Sequence, residues 1–399
     1  MAAPLHLAVA LDGAGWHPAA WREPDAAPGQ LFTAGYWAEL ALEAERGLID
    51  FITIEDSLGQ QSAHYDGPDP RADQVRGRLD AVLIAARVAP LTTRVGLVPT
   101  ATVSHTEPFH VSKSIATLDY VSGGRAGWRA QLSRPWENSL FGRREPMTFR
   151  IEDRAKPEVA QAYAERFDEA ADFVEVVRRL WDSWEDDAVI RDAATGRFVD
   201  RGKLHYIDFD GQWFSVRGPS ITPRPPQGQP LVTALAHATV PYRFAARAAD
   251  VVYVTPRDCE HAQAIVTEVR AEQEGAGRGA ETVHIFGDLV VFLGPTQDAA
   301  EERRARLDAE AGAEYKSDAA IFAGTASQLA ELLLSWQDAG LSGYRLRPAA
   351  IPDDLRAITR DLVPELQRTG SFRASYREAG LRERLGLARP ASRYAAAGG

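Results

Sequence analysis

The sequence predicts a (β/α)8 barrel, an α/β fold of eight parallel strands closed into a ring with helices outside. Three observations point to it. Short apolar runs recur along the chain, each followed by a helical pattern, which is the rhythm of a parallel sheet. Eight such runs are found, the number that closes this type of barrel. The 399 residues leave room for insertions as well. A doubly wound open sheet is the alternative. It usually has fewer strands, and no dinucleotide fingerprint follows the first run.

The elements follow in order. "LAVAL" (7–11) is the first strand. A helix over about 35–46 ends at Gly47, a residue suited to a C-terminal cap. "DFITI" (50–54) and "RVGLV" (94–98) are the second and third strands. A helix over about 107–122 opens near Pro108, buries Val111, Ile115 and Leu118, and is stopped by Gly123-Gly124. "GWRAQLS" (127–133) is the fourth strand, and a long connection, 134–160, follows it. Loops of that length usually have a job; at the active-site end of a barrel, this one reads as part of a lid. A helix over about 161–184 carries Phe167, Ala170, Ala171, Val174, Val177 and Trp181 on one face. Residues 185–229 hold a hairpin signal, "YIDFDGQWFSV", with Asp210-Gly211 as its turn, and then a proline-rich run. "LVTALA" (231–236), "VVYV" (251–254), "DLVVFL" (288–293) and "YRLRP" (344–348) complete the strands. Thr325 and Gln328 have capping-box spacing ahead of Leu329, Leu332, Leu333 and Trp336. The whole chain reads as one domain, with insertions at about 134–160 and 185–229 and a tail at about 388–399.

Composition excludes several function classes. At 45% apolar and 25% charged, a large core is available. A net charge of −11 argues against a nucleic-acid partner. Cys259 is the single cysteine, so no internal disulfide is possible, and a cytoplasmic location is expected. No signal peptide is expected, and no apolar run approaches the ~20 residues of a membrane helix. Nor do the common motifs appear. There is no HExxH and no cysteine pair for zinc, and no GxSxG elbow. "GRFVDRGKL" has the wrong length for a phosphate loop and no hydroxyl after Lys203. Glu55 and Asp56 are adjacent on a strand and so point to opposite faces.

The fourth strand is the unusual one. Trp128, Ala130 and Leu132 alternate with Arg129, Gln131 and Ser133. Period two makes one face apolar and the other polar. The apolar face belongs under the helices, so the polar face looks into the barrel. A guanidinium there needs an anion. Two readings stand: a salt bridge to Glu55, Asp56 or Asp288, or an anionic ligand such as a phosphate.

At this point the sequence resembles a known family, the bacterial luciferase-like flavin-dependent monooxygenases. Within it the chain is similar to the nitrilotriacetate, dibenzothiophene-sulfone and pristinamycin-synthase subgroup. The matching stretches are "HPAAWR", "TATVSHTEPFHVSKSIATLDYVSGGRAGW", "RFDEAADFVEVVRRLWDSWEDDAV", "FSVRGPSITPRPPQGQP", "FAGTASQLAELLLSWQDAGLSGY" and "LVPELQRTGSFRASYREAGLRERLGL", and they span almost the whole chain. The resemblance implies a TIM barrel with insertions and a two-component monooxygenase. Reduced FMN would come from a separate NAD(P)H:flavin reductase, molecular oxygen would add at flavin C4a, and the peroxide would oxygenate a small organic substrate. Trp16, Trp21, Trp136 and Phe141 are suited to exclude water.

Site residues are carried over one by one. Asp56 and Thr100 match positions near the flavin ring, and Ser133 matches the serine closing the family's "GWNVVTS". The asparagine of that motif is Arg129 here and its threonine is Leu132; Gln131 shares the polar face. Where the family has a small phosphate-binding loop, this chain has His237, Ala238 and Thr239. A common tyrosine is Phe167, which fits its helix stripe as a core residue. These departures allow a rebuilt phosphate site, with Arg129 supplying charge and His237 assisting. They also allow an eroded site in a non-catalytic or accessory paralogue, and, less directly, a deazaflavin cofactor. For acid–base or peroxide-orienting work the candidates are His17, in "WHPAAWR", and His105 after the third strand. Substrate choice is expected to lie in loops 57–78 and 134–160, which hold Gln60, Gln61, His64, Arg143 and Arg144. By analogy the assembly is a homodimer or homotetramer.

Overall fold

The computed structural model describes residues 4–62, 64, 67–141, 153 and 155–395. Arg143, Arg144 and part of the expected lid, residues 142–152 and 154, lie outside the described residues.

Eight parallel strands form the barrel: β1 His6–Leu11, β2 Phe51–Ile54, β3 Gly96–Thr102, β4 Gly127–Gln131, β5 Leu231–Leu235, β6 Val251–Val254, β7 His284–Leu293 and β8 Gly343–Pro348. Each pairs with the next, and β8 pairs with β1, with Leu7 opposite Tyr344 and Val9 opposite Leu346, so the ring closes. The expected barrel is borne out, and the open sheet is not. β7 is ten residues long and has a third neighbour. Where β6 ends, a short strand not anticipated from sequence, Ala320–Gly324, takes its place against Leu289 to Leu293. The third strand runs further than expected, from Gly96 to Thr102.

Helices α1 Ala34–Arg46, α2 Ala81–Val88, α3 Pro108–Ser122, α4 Pro157–Asp182, α5 Thr239–Ala248, α6 Cys259–Gly275, α7 Gln297–Ala311 and α8 Ala326–Gln337 surround the ring. Gly123 ends α3 in the left-handed region, as expected, at φ +67°. Gly47 caps α1 at φ −80°, and the left-handed turn falls on Leu48 instead. α4 starts at Pro157, four residues ahead of the expected start, because proline is tolerated in the first turn. The capping box of Thr325 and Gln328 forms in full. In the second insertion, Phe209–Asp210 pairs with Ser215–Val216, and Asp210 faces Ser215. Asp210 is therefore a strand residue, and the turn lies over 211–214 rather than at Asp210-Gly211.

Inside the ring, the lower layer is apolar: Ala8, Phe51, Val98, Leu231, Tyr253 and Phe286 pack together, and Leu381, Leu385 and Leu387 of the C-terminal segment close it from below. Polar groups begin one layer up, toward the C-terminal ends of the strands. Among the described residues no helix is long and apolar enough to cross a membrane.

Candidate active site at the barrel mouth

Above the apolar layer, three strands contribute buried arginines and carboxylates that meet in one network. From β4, Arg129 Nη1 donates to Glu55 Oε2 at 2.7 Å and to Thr100 Oγ1 at 3.0 Å. From β8, Arg345 Nη1 donates to the other Glu55 oxygen at 3.2 Å, and its Nε donates to Asp288 Oδ1 at 2.8 Å. Arg347, two residues on, donates through Nε to Asp288 at 3.0 Å and through Nη1 to Asp318 at 2.6 Å. Asp318 in turn lies 3.4 Å from His237 Nε2. The network thus sets three buried guanidinia against two buried carboxylates and the half-exposed Asp318, so it is close to neutral.

Its electrostatics follow from mutual pairing. Burial raises the Glu55 carboxyl, but Arg129 and Arg345 outweigh it and hold the pKa below the ordinary value. Burial opposes the charge on Arg129 and lowers its pKa against the pull of Glu55. The guanidinia also lie against aromatic faces: Arg345 Cζ is 4.3 Å from the Tyr253 ring centroid and Arg347 Cζ is 4.5 Å from that of Trp16.

Sequence reasoning identified Arg129 and named Glu55 and Asp288 as possible partners, but it missed Arg345, Arg347 and Asp318. The first two carried the same signal as β4: "YRLRP" alternates polar and apolar residues. Asp318 gave none, lying in an ordinary polar connection.

The expected cofactor residues divide into two groups. Thr100, Arg129 and Gln131 come together on the inner faces of β3 and β4. Gln131 Nε2 donates to the carbonyl of Asp56 at 3.0 Å. Asp56 itself turns away from the barrel axis, as adjacency to Glu55 requires, and accepts the backbone N–H groups of Ser57 and Ala81. Burial raises its pKa. His237, Ala238 and Thr239 sit at the mouth beyond β5. Ala238 is the N-cap of α5 and offers no side-chain cap. His237 Nδ1 lies 3.1 Å from Thr255 Oγ1, and Thr239 Oγ1 donates to Glu268. Partial desolvation lowers the His237 pKa, opposed by Asp318.

The two candidate acid–base histidines have different surroundings. His17 is 2% exposed. Its Nε2 lies 3.0 Å from Asp308, its Nδ1 accepts the N–H of Ala19, and its ring is edge-on to Phe292 and Tyr315. Burial lowers its pKa despite Asp308. With both nitrogens engaged, His17 ties the loop after β1 to α7. His105, three residues beyond β3, has one nitrogen 2.7 Å from Asn138 Oδ1 and its ring 5.0 Å from that of Phe141. Ser133 is buried, and its hydroxyl lies 3.4 Å from the same Asn138 oxygen. The aromatic residues expected to exclude water are held in place at the mouth. Trp16 Nε1 donates to Ala10 O and Trp21 Nε1 to Asp73 O, while Trp136 packs over Gly59.

Comparison with known proteins shows what the chain is similar to. The profile of the luciferase-like monooxygenase family matches residues 14–341. The chain is 30% identical to N-acetyl-S-(2-succino)cysteine monooxygenase of Bacillus subtilis, over 98% of each chain. It is 27% identical to nitrilotriacetate monooxygenase component A of Aminobacter aminovorans, over 97% of each. The fold is similar to that of a long-chain alkane monooxygenase, with a TM-score of 0.84 at 24% identity, covering 97% of this chain and 96% of that one.

Proposed function

Because the chain belongs to the luciferase-like monooxygenase family, we propose that it uses reduced FMN and molecular oxygen to oxygenate a small organic molecule. A separate NAD(P)H:flavin reductase supplies the reduced flavin, in the cytoplasm, and the working assembly is a homodimer or homotetramer. The observation that carries this reading is the mouth of the barrel, where polar residues line the inner faces of β3 and β4 and an uncapped helix N-terminus follows β5.

That arrangement fits the flavin. Thr100 and Gln131 offer the hydroxyl and amide groups a flavin ring edge needs. The start of α5, with no side chain capping it and with His237 alongside, suits a phosphate, since helix N-termini favour anions. Arg129 backs the pocket through Thr100, and its charge is already met by Glu55. When bound, reduced FMN supplies the oxygen-activating chemistry. The protein's part is to bind, orient and exclude water, and Trp16, Trp136 and Phe141 serve the last of these.

One observation favours a competing reading. The near-neutral interior network offers no spare positive charge, as expected of a paralogue that keeps the fold without turnover. Anaerobic titration with reduced FMN, followed by tryptophan fluorescence, separates the two. Saturable quenching supports the oxygenase. No quenching with flavin far in excess of protein supports the non-catalytic paralogue.

A further inference from the structure

A chain of hydrogen bonds of fixed direction ends on His105. Arg166, on α4, donates through Nη2 to the Ser133 carbonyl and, at 3.3 Å, to Ser133 Oγ. A guanidinium has donors only, so Ser133 Oγ accepts there, which leaves its own hydrogen for Asn138 Oδ1, 3.4 Å away. The Asn138 atom between Ser133 and His105 is then an oxygen. His105 Nε2, 2.7 Å from that oxygen, must carry the ring hydrogen. In the neutral ring this leaves Nδ1 as a bare acceptor.

Nδ1 of His105 is buried and meets no partner among the described residues. An unmet buried acceptor costs stability, and native structures rarely keep one without use. The backbone adds to the cost: His105 is held at φ +59°, a region non-glycine residues seldom adopt. A second buried polar atom, Trp136 Nε1, also lacks a partner and belongs to Pro135–Leu140, the turn that supplies Asn138. Two buried polar atoms between the loops after β3 and β4 are therefore left without a partner among the described residues.

We propose that His105 is a substrate-binding residue whose Nδ1 accepts a hydrogen bond from an N–H or O–H group of the molecule to be oxygenated. The substrate class is thus a polar organic compound carrying a donor, such as a secondary amide, and not a bare hydrocarbon or simple thioether. Arg166, Ser133 and Asn138 are positioning residues that fix the tautomer. The inference rests on the monooxygenase reading, since it names the group that site would hold.

The test needs neither flavin nor turnover. The full chain, labelled with nitrogen-15 histidine, is observed by NMR, and the His105 ring is assigned by its loss in His105→Gln. Should that variant not fold, the ring perturbed in Ser133→Ala assigns it. The expected spectrum shows Nε2 protonated and Nδ1 bare. N-methylacetamide, which has an N–H, should shift Nδ1 toward hydrogen-bonded values, and N,N-dimethylacetamide should not. Ser133→Ala should turn the single tautomer into a mixture. A protonated Nδ1, an Nδ1 already hydrogen-bonded in the free protein, equal responses to the two amides, or an unchanged tautomer in Ser133→Ala would each overturn the proposal. Failure to bind reduced FMN would instead count against the monooxygenase reading and leave the NMR result standing.

Discussion

Arg129 Nη1 lies 2.7 Å from Glu55 Oε2, and both side chains are buried inside the barrel. Glu55 shares its other oxygen with Arg345, so removing Arg129 leaves half a buried carboxylate uncompensated. Breaking a buried pair from one side costs about 3–5 kcal/mol. Arg129→Ala should lower stability by about that amount in urea unfolding at neutral pH. Because the guanidinium serves Glu55 and Thr100, FMN and riboflavin should lose affinity in equal measure. A loss confined to FMN would show that Arg129 meets the phosphate after all.

His237 should behave in the opposite way. It stands beside the uncapped start of α5, and its neighbours Thr255 and Asp318 orient it without burying it. Losing one hydrogen bond to a charged group is worth about 1.5 kcal/mol, or roughly tenfold in affinity. His237→Ala should therefore weaken FMN about tenfold and leave riboflavin nearly unchanged. Parallel fluorescence titrations of the two flavins give the ratio, and a ratio near one would remove His237 from the phosphate site.

Gly59 lets the loop after β2 close onto the loop after β4. A Cβ there would lie 2.5 Å from Trp136 Cη2 and 3.1 Å from Glu137 Oε1. The Glu137 carboxylate bridges the same two loops, accepting the N–H groups of Gly59 and Arg134. Gly59→Ala should push Trp136 outward, at a cost of about 1–3 kcal/mol for overpacking. Water would then reach the mouth more freely. The measurable consequence is a larger share of consumed oxygen released as hydrogen peroxide, with kcat for substrate oxygenation falling accordingly.

Much of this architecture was legible because period two and helix periodicity are local signals. "GWRAQ" and "VVYV" show their strands directly, and the glycines after Ser122 stop α3 where backbone freedom requires it. The strand Ala320–Gly324 was not legible. It exists because β7 outruns β6 and needs a new neighbour, a property of the ring and not of its own five residues. The site was half legible for a related reason. Alternation on β4 placed Arg129 inside, but which anion it meets depends on β2, 74 positions away in sequence. His17 shows the limit most clearly: its partner Asp308 lies 291 positions further on.

At the opposite end of the barrel, His284 sets an acid limit on stability. Its Nε2 lies 2.8 Å from the carbonyl of Leu385, and its Nδ1 lies 3.1 Å from Ser342 Oγ, so it fastens the C-terminal segment under the apolar layer. Burial pushes its pKa down to about 4 from 6.5, with His6 edge-on at 5.2 Å adding to the shift. The folded state keeps this ring neutral while the unfolded chain takes up a proton. Its contribution is therefore complete above pH 6.5 and is lost as the pH falls toward 4. A shift of this size corresponds to about 3 kcal/mol. Asp119 works against it, since burial raises its carboxyl to about 6 and the folded state gains protons there first. The difference between proteins isolates His284 from that background. In His284→Gln, whose amide can still donate to Leu385 O, urea midpoints should fall less steeply between pH 6.5 and 4 than in the unaltered chain. Equal slopes would mean that the ring is protonated in the folded state, with Leu385 O accepting from an imidazolium.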